Sequence, residues 1–359
     1  MPSKPLLPRV LLSRLALGAA WGTALLPAVG CDNPDLDGDA RTVALAAVKA
    51  YVSSGLVSMH AASVALQQAA PTPDADGWNS SADADAVQTM QSDWKDIRAG
   101  YERVEGAIAV LFPDLDAATD ERYDGFIAEA ADDNLFDGVG VTGVHAVERI
   151  VWSDQIPAAV VTFEQGLGQN YAPAAFPSTV VQATDFKAGL MARLVTDTQT
   201  MVDEFAPLAL APETAWRGVL GSLQEQFEKV SLAGTGEDES RYSQHTLADM
   251  RFNLEGGRVI FEAFEPLFVE QGDDGIALYQ DILTAFIRTG EELDRHPGDA
   301  IPVVPSTWNP DAPSADDAAS DYGSLFLHFA RETDLGRSDS FISLFSQGAD
   351  LLGIPQLAE

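Results

Sequence analysis

Cysteine is almost missing from this chain: Cys31 is the only one in 359 residues. That excludes a disulfide framework, a multi-thiolate metal site and a cysteine-nucleophile enzyme. Basic residues are also scarce, with 21 Lys+Arg against 55 Asp+Glu and a net charge of −34. Nucleic acid is excluded as a partner, because no basic patch could offset such a field, whereas a cationic ligand is attracted. Most of these carboxylates read as solvated faces, so only a handful need a function. Alternating apolar–polar runs are few, and Thr179-Val180-Val181 and Ile301-Pro302-Val303-Val304 are too short to carry a sheet. No His-Glu-x-x-His, Gly-x-Ser-x-Gly, phosphate loop or dinucleotide fingerprint is present.

The first residues read as a targeting segment. Lys4, Arg9 and Arg14 form a basic start, 15–29 is apolar but short for a membrane span, and Ala28-Val29-Gly30-Cys31 resembles a bacterial lipobox. The expectation is cleavage before Cys31, lipidation of that cysteine, and anchoring to a bacterial membrane on its periplasmic or extracellular face. An ordinary secretory peptide with an incidental cysteine is the alternative. Removing 1–30 takes away three basic residues and no acidic one, moving the balance from −34 to −37.

Alanine is abundant and apolar residues recur at spacings of three and four, which is the helical period. Helices are expected over 41–70, 82–112, 115–131, 141–152, 185–205, 214–232, 247–271 (bent at Pro266), 275–295 and within 322–352, with 300–313 extended. The proline at 71 stops the first, Pro113 ends the second, and Pro207 and Pro212 interrupt the chain between later helices. The fold class expected is all-α: two helical bundles in tandem. The organisation expected is a signal peptide over 1–30, an acidic tether over 31–40, a first bundle over 41–165, a linker over 166–184 and a second bundle over 185–359.

Two segments carry ligand-type side chains three residues apart inside apolar patterns: Tyr101-Glu102-Arg103-Val104-Glu105 and Gly143-Val144-His145-Ala146-Val147-Glu148. Residues i and i+3 share a helix face, so two such helices side by side would gather one imidazole and several carboxylates at one spot. Imidazole with carboxylates is a transition-metal donor set. Two readings stand for His145 and Glu148: a metal pair, or a core histidine bonded to Glu148 for structure alone. For Glu102 and Glu105 the alternative is an exposed acidic face paired with Arg98 or Arg103. His245, Asp249 and Asn253, followed by Glu255, form a third polar series on one helical face. His60 could face a bundle interior, His296 in its turn is expected to be exposed, and His328 reads as a satisfied core histidine.

These residues reach a known family. The chain resembles the imelysin-like proteins, which include EfeO/EfeM-type components of bacterial iron uptake. Gly143, His145 and Glu148, with Trp152 trailing, match the family's Gly-x-His-x-x-Glu motif. Tyr101, Glu102 and Glu105 match a second helix motif that leads into Phe112, Asp114, Leu115, Asp116 and Asp120 to Arg122. The segment from Glu239 through Tyr242, Ser243, His245, Thr246 and Asp249, with Gln244 inserted, loosely echoes a third, and Asn253 and Gly256 also fit. The resemblance implies a two-bundle helical fold, an extracytoplasmic address and a metal held near the His-x-x-Glu helix. It makes His145 and Glu148 the leading ligands and Glu102, Glu105 and Asp120 candidates for the rest of the shell. EfeO-type members carry an additional cupredoxin-like domain at the N-terminus; the stretch between Cys31 and the first helix leaves no room for one, so the form with the imelysin-like domain alone is expected.

The function expected is a lipid-anchored protein that captures a divalent or trivalent metal ion, iron first and zinc or copper next, and passes it to a permease. The alternatives are a metallopeptidase, disfavoured by the lack of a second nearby histidine, and a metal-free surface scaffold.

Overall fold

A computed structural model describes residues 40–79, 81–120 and 134–355. The expected signal segment, the expected lipidation position Cys31, most of the expected acidic tether and the second part of the expected 115–131 helix, with Glu121 and Arg122, lie outside the described residues. Regular structure among the described residues is helical throughout, with no strand. The fold is all-α.

Helix α1 (Ala40–Ala69) is alanine-rich, favouring helix, and Pro71 follows its end. It is long and apolar enough to cross a bilayer by length and composition. Its stripe of Ala44, Val48, Val52, Leu56, Met59 and Leu66 is nevertheless buried, against α2 (Ala84–Glu102) and α8 (Met191–Phe205). Between them in sequence come α3 (Glu105–Leu111), α4 (Pro113–Asp120), α5 (Gly143–Val151), α6 (Ala158–Leu167) and α7 (Val180–Asp185). A single π turn, Phe186–Leu190, joins α7 to α8.

The second half contributes α9 (Pro212–Leu232), α10 (Thr246–Glu262), α11 (Glu265–Glu270), α12 (Gly272–Asp294), α13 (Ala315–Ala318), α14 (Asp321–Glu332) and α15 (Phe341–Leu351). Pro212, expected as an interruption, opens α9 instead. A first-turn proline loses nothing, because its missing N–H would have had no helical partner. The stretch 300–313 is irregular, as expected.

One apolar core runs from Ala44 to Ile354 and draws on both halves of the chain. Trp94 anchors it among α2 and α5, and Trp216 stacks on Phe345 at 4.2 Å between α9 and α15. Each large side chain buried there contributes about 1.5–3 kcal/mol. The halves meet where α3 packs on α9 and α2 packs on α10.

Helices α6 and α7 stand where no helix and a linker were expected, and the meeting of the halves explains another departure. The segment 82–112 does not run as a single rod: α2 ends at Glu102 and α3 begins at Glu105. The backbone turns at Arg103 and Val104, where Val104 N–H donates to the Tyr101 carbonyl over 2.8 Å. A methyl group on Gly218 of α9 would overlap the Gly106 carbonyl, and one on Gly256 of α10 would overlap that of Arg103. Backbone-to-backbone contact with α9 and α10 therefore redirects α3. The turn keeps both Glu102 and Glu105 facing inward.

Candidate metal centre

Every residue of α5 is buried. Gly143 opens it at φ +86°, a conformation that suits glycine, and a Cβ there would overlap the carbonyls of Thr119 and Ala118. The glycine thus lets the start of α5 press against the end of α4. Thr142 Oγ1 donates to the Ala118 carbonyl over 3.2 Å across the same contact. The result sets Asp120, the last residue of α4, beside His145.

His145 is 1% exposed. Its Nδ1 lies 2.7 Å from Glu148 Oε2. The other Glu148 oxygen accepts from the N–H and the hydroxyl of Ser243, each over 2.7 Å. Glu148 is therefore fully engaged behind the ring, not in front of it. Nε2 faces Asp120 Oδ1 at 3.3 Å, an ion-pair contact longer than the one to Glu148. Burial opposes a charge on the ring, yet Asp120 and Glu148 outweigh it and raise its pKa to about 9.

Ser243 is held by a strained turn. Gln244, next to it, is the one non-glycine residue with positive φ among the described residues, at 57°. Its amide donates to the Arg241 carbonyl over 2.7 Å, fixing the loop that presents Ser243 to Glu148.

In front of the ring, single ligand atoms of Asp120, His145 and Glu239 lie within 4.8 Å of one another. That spacing suits three donors on one cation, and imidazole nitrogen with carboxylate oxygens matches iron, manganese or zinc. A second group, Glu102, Glu105 and Glu239, meets the same distance criterion and shares Glu239 with the first.

Two buried cations hold these acids together. The Arg98 guanidinium pairs with Glu102, Asp120 and Glu239 and lies 3.4 Å from Asp249. The Lys229 ammonium lies 2.6 Å from Glu239, 3.2 Å from Glu102, 3.5 Å from Glu105 and 3.7 Å from Glu225. Asn253 donates to both Glu102 and Glu105. Burial pushes Glu102 up to about 8, against the pull of Arg98 and Lys229, and holds Glu105 well above the usual carboxylate range. Glu239 goes the other way: burial opposes its charge, but Lys229, Arg98 and His145 hold it well below that range.

The group opens on one side. A cleft of about 460 Å³ is lined by Asp116, Asp120, Glu225, Glu228, Lys229 and Glu239. Asp116 accepts from the Tyr101 hydroxyl over 2.6 Å, and burial lifts its pKa to about 7. Ala117 and Leu232 complete the wall, whose charged groups are acidic except for Lys229.

The structure thus brings His145, Glu148, Glu102, Glu105 and Asp120 into one buried network. Glu102 is paired with Arg98, as one expectation had it, but inside the protein. The exposed pairing belongs to Arg103, 3.1 Å from Glu255. His245, Asp249 and Asn253 share a buried face; Asp249 joins the network through Arg98 and Ser240, while His245 packs against Trp94 and lies 3.2 Å from Asp299. His60 bonds to Thr198 and His328 to Thr289. His296, expected in an exposed turn, is 3% exposed: it continues the end of α12, one turn after Glu292, and Arg251 of α10 donates to its carbonyl. Sequence reasoning missed Glu239 as a donor and Lys229 as its counter-ion. Glu239 sits in an acidic turn that reads as solvated, and nothing in the pattern of α9 distinguishes Lys229.

A profile of the Imelysin family matches residues 49–317. Curated relatives include the iron uptake system component EfeO of Yersinia pseudotuberculosis, 28% identical over 176 residues, which is 49% of this chain and 37% of that protein. The component of the same name from Escherichia coli is 25% identical over 212 residues, 59% of this chain and 46% of that protein. The matched region therefore spans less than half the length of each of these relatives. With three quarters of its length under the family profile and the motif residues gathered in one core, the chain belongs to the Imelysin family.

Proposed function

We propose that this protein captures a single metal ion, iron by preference, on the Asp120–His145–Glu239 group and surrenders it to an uptake system. The observation that carries the reading is the buried Nε2 of His145, 3.3 Å from Asp120 and grouped with Glu239, while Glu148 fixes the opposite ring nitrogen. A carboxylate behind a histidine is how proteins orient an imidazole toward a metal. The acidic cleft concentrates cations at its mouth. The names of the EfeO relatives support iron as the cargo. Lipid anchoring through Cys31 would keep the protein on the outer side of a membrane, within reach of a permease.

For the peptidase alternative, both Glu148 oxygens are already engaged, so the motif offers no free general base to activate water. Retention and release of an ion is the better use of this geometry. Titration calorimetry of the purified chain with Fe²⁺ under anaerobic conditions, and with Zn²⁺, tests the reading. One ion should bind, and His145→Ala should weaken binding at least tenfold. Absence of binding, or an unchanged His145→Ala variant, overturns it.

A further inference from the structure

Helix α6 brings little apolar surface to the core. Of its ten residues only Val160 and Glu164 are buried, and one of the two is charged. Glu164 is 1% exposed, and both of its oxygens are bonded inside the protein. Arg149, from α5, donates to both: Nε to Oε1 and Nη2 to Oε2, each over 3.0 Å. The Tyr242 hydroxyl donates to Oε1 over 2.6 Å. Each of these partners is the chain neighbour of a residue that supports the metal seat. Arg149 follows Glu148, which holds the His145 ring, and Tyr242 precedes Ser243, which holds Glu148. The segment 236–243 and α5 are thus joined twice: directly through Ser243 and Glu148, and indirectly through Tyr242, Glu164 and Arg149.

We propose that Glu164 is a positioning residue, which braces the 236–243 segment against α5 and so sets the reach from Glu239 to His145. The inference rests on the reading of Asp120, His145 and Glu239 as the metal seat. α6 meets the segment on both sides of Glu239. A Cβ on Gly236 would lie 3.5 Å from the Ala159 carbonyl oxygen and from Phe163 Cβ, and the Arg241 guanidinium stands over the Phe163 ring at 5.3 Å. Asp238 and Ser240 are also tied to α10, through Thr246 and Asp249. Those ties fix the segment to α10, not to the helix that carries the imidazole. The single bond between Ser243 and Glu148 leaves a pivot, and Glu164 supplies the second point that removes it. Arg98 and Lys229 hold the Glu239 carboxylate itself, but they compete with an arriving ion for its oxygens and cannot set its place on one. A buried ion pair adds little net stability, because desolvation offsets the attraction. What a bidentate arginine–carboxylate pair adds is direction, which an apolar contact of the same size would lack.

Two readouts on the full chain separate positioning from support of the fold. In the metal-free protein the Ser243 amide, which donates to Glu148, should exchange its hydrogen faster in Glu164→Gln than in the intact chain, while the amides of α12 keep their rates. By calorimetry well below the melting temperature, Glu164→Gln should weaken Zn²⁺ binding about tenfold, the lower end for loss of an outer partner. Tyr242→Phe removes one hydroxyl and keeps the Arg149–Glu164 pair, so it serves if Glu164→Gln does not fold. It should move both readouts the same way by smaller factors. Tyr242→Phe combined with Ser243→Ala should lose more affinity than the product of the two single losses, because each bond is the other's second point. Zn²⁺ affinity within about twofold of the intact chain in the folded variants, or weakened binding with no faster exchange at Ser243, overturns the proposal and leaves the metal seat standing. An intact chain that binds no Zn²⁺, or a His145→Ala variant that binds it normally, overturns the seat and the role of Glu164 together.

Discussion

Replacing Glu148 by glutamine changes one atom, and the structure says what should follow. As a carboxylate, Glu148 only accepts: from His145 Nδ1 on one oxygen, and from the Ser243 N–H and hydroxyl on the other. Nδ1 must therefore carry a proton, so once the ring gives up its second proton the Nε2 lone pair is the one that faces a cation. Glutamine keeps the shape. Its carbonyl oxygen best stays with the two Ser243 donors, so its NH₂ turns to the ring. An NH₂ donates, Nδ1 becomes the acceptor, and in the neutral ring the proton moves to Nε2, the atom that should hold the ion. Loss of an orienting carboxylate behind a metal-binding histidine costs about 10- to 100-fold in affinity, or about 1.4–2.7 kcal/mol. Titration calorimetry with Zn²⁺ on the intact chain and Glu148→Gln measures the loss. Nitrogen-15 NMR of the metal-free ring at high pH reports which nitrogen carries the proton. Affinity within about twofold of the intact chain, or a proton still on Nδ1, would refute the argument.

Two further predictions follow from geometry away from the ring itself. Gly143→Ala places a side chain at φ +86° and drives a methyl group into the Thr119 carbonyl. The strain alone costs about 1–2 kcal/mol, and the displaced α4 carries Asp120 away from His145. Both melting temperature and metal affinity should fall; a normal affinity in a destabilised variant would show that Asp120 is not a ligand. Glu332→Gln tests electrostatics far from the site. Burial raises the Glu332 pKa, but Arg288 and Arg331 outweigh it and hold the group below its ordinary 4.5. A depressed acid stabilises the fold above its unfolded pKa and loses that contribution as pH falls through the folded value. Glu332→Gln should therefore cost about 1.5 kcal/mol at pH 7, the lower end for bonds to charged groups because both arginines are partly solvated. The difference in melting temperature should shrink below pH 4.5. A difference that grows on acidification contradicts the sign.

The long helices were legible because their buried stripes are local. The stripe of α1 is written in residues three and four apart, and the expected 41–70 differs from the observed helix by one residue at each end. The break at Arg103 was not legible for a related reason. Tyr101, Val104, Ile108 and Leu111 continue the period straight through it, and what turns the chain is contact with Gly218 and Gly256, more than a hundred residues away. The candidate site divides the same way. His145, Glu148, Glu102 and Glu105 stood out because short spacings put them on one face amid apolar neighbours. Local spacing could not show that Ser243, from a distant loop, bonds Glu148 behind the ring. Glu239 was seen only as the start of a family motif, and Lys229 not at all, because their contacts arise only where α9 and the turn before α10 reach the end of α2.

X-ray absorption at the metal edge tests the central claim most directly, on the iron-loaded chain and on His145→Ala. The account predicts one imidazole nitrogen among oxygen donors in the intact chain, and loss of the imidazole signature in the variant. An all-oxygen shell in the intact chain, or an imidazole signature that survives His145→Ala, would contradict it.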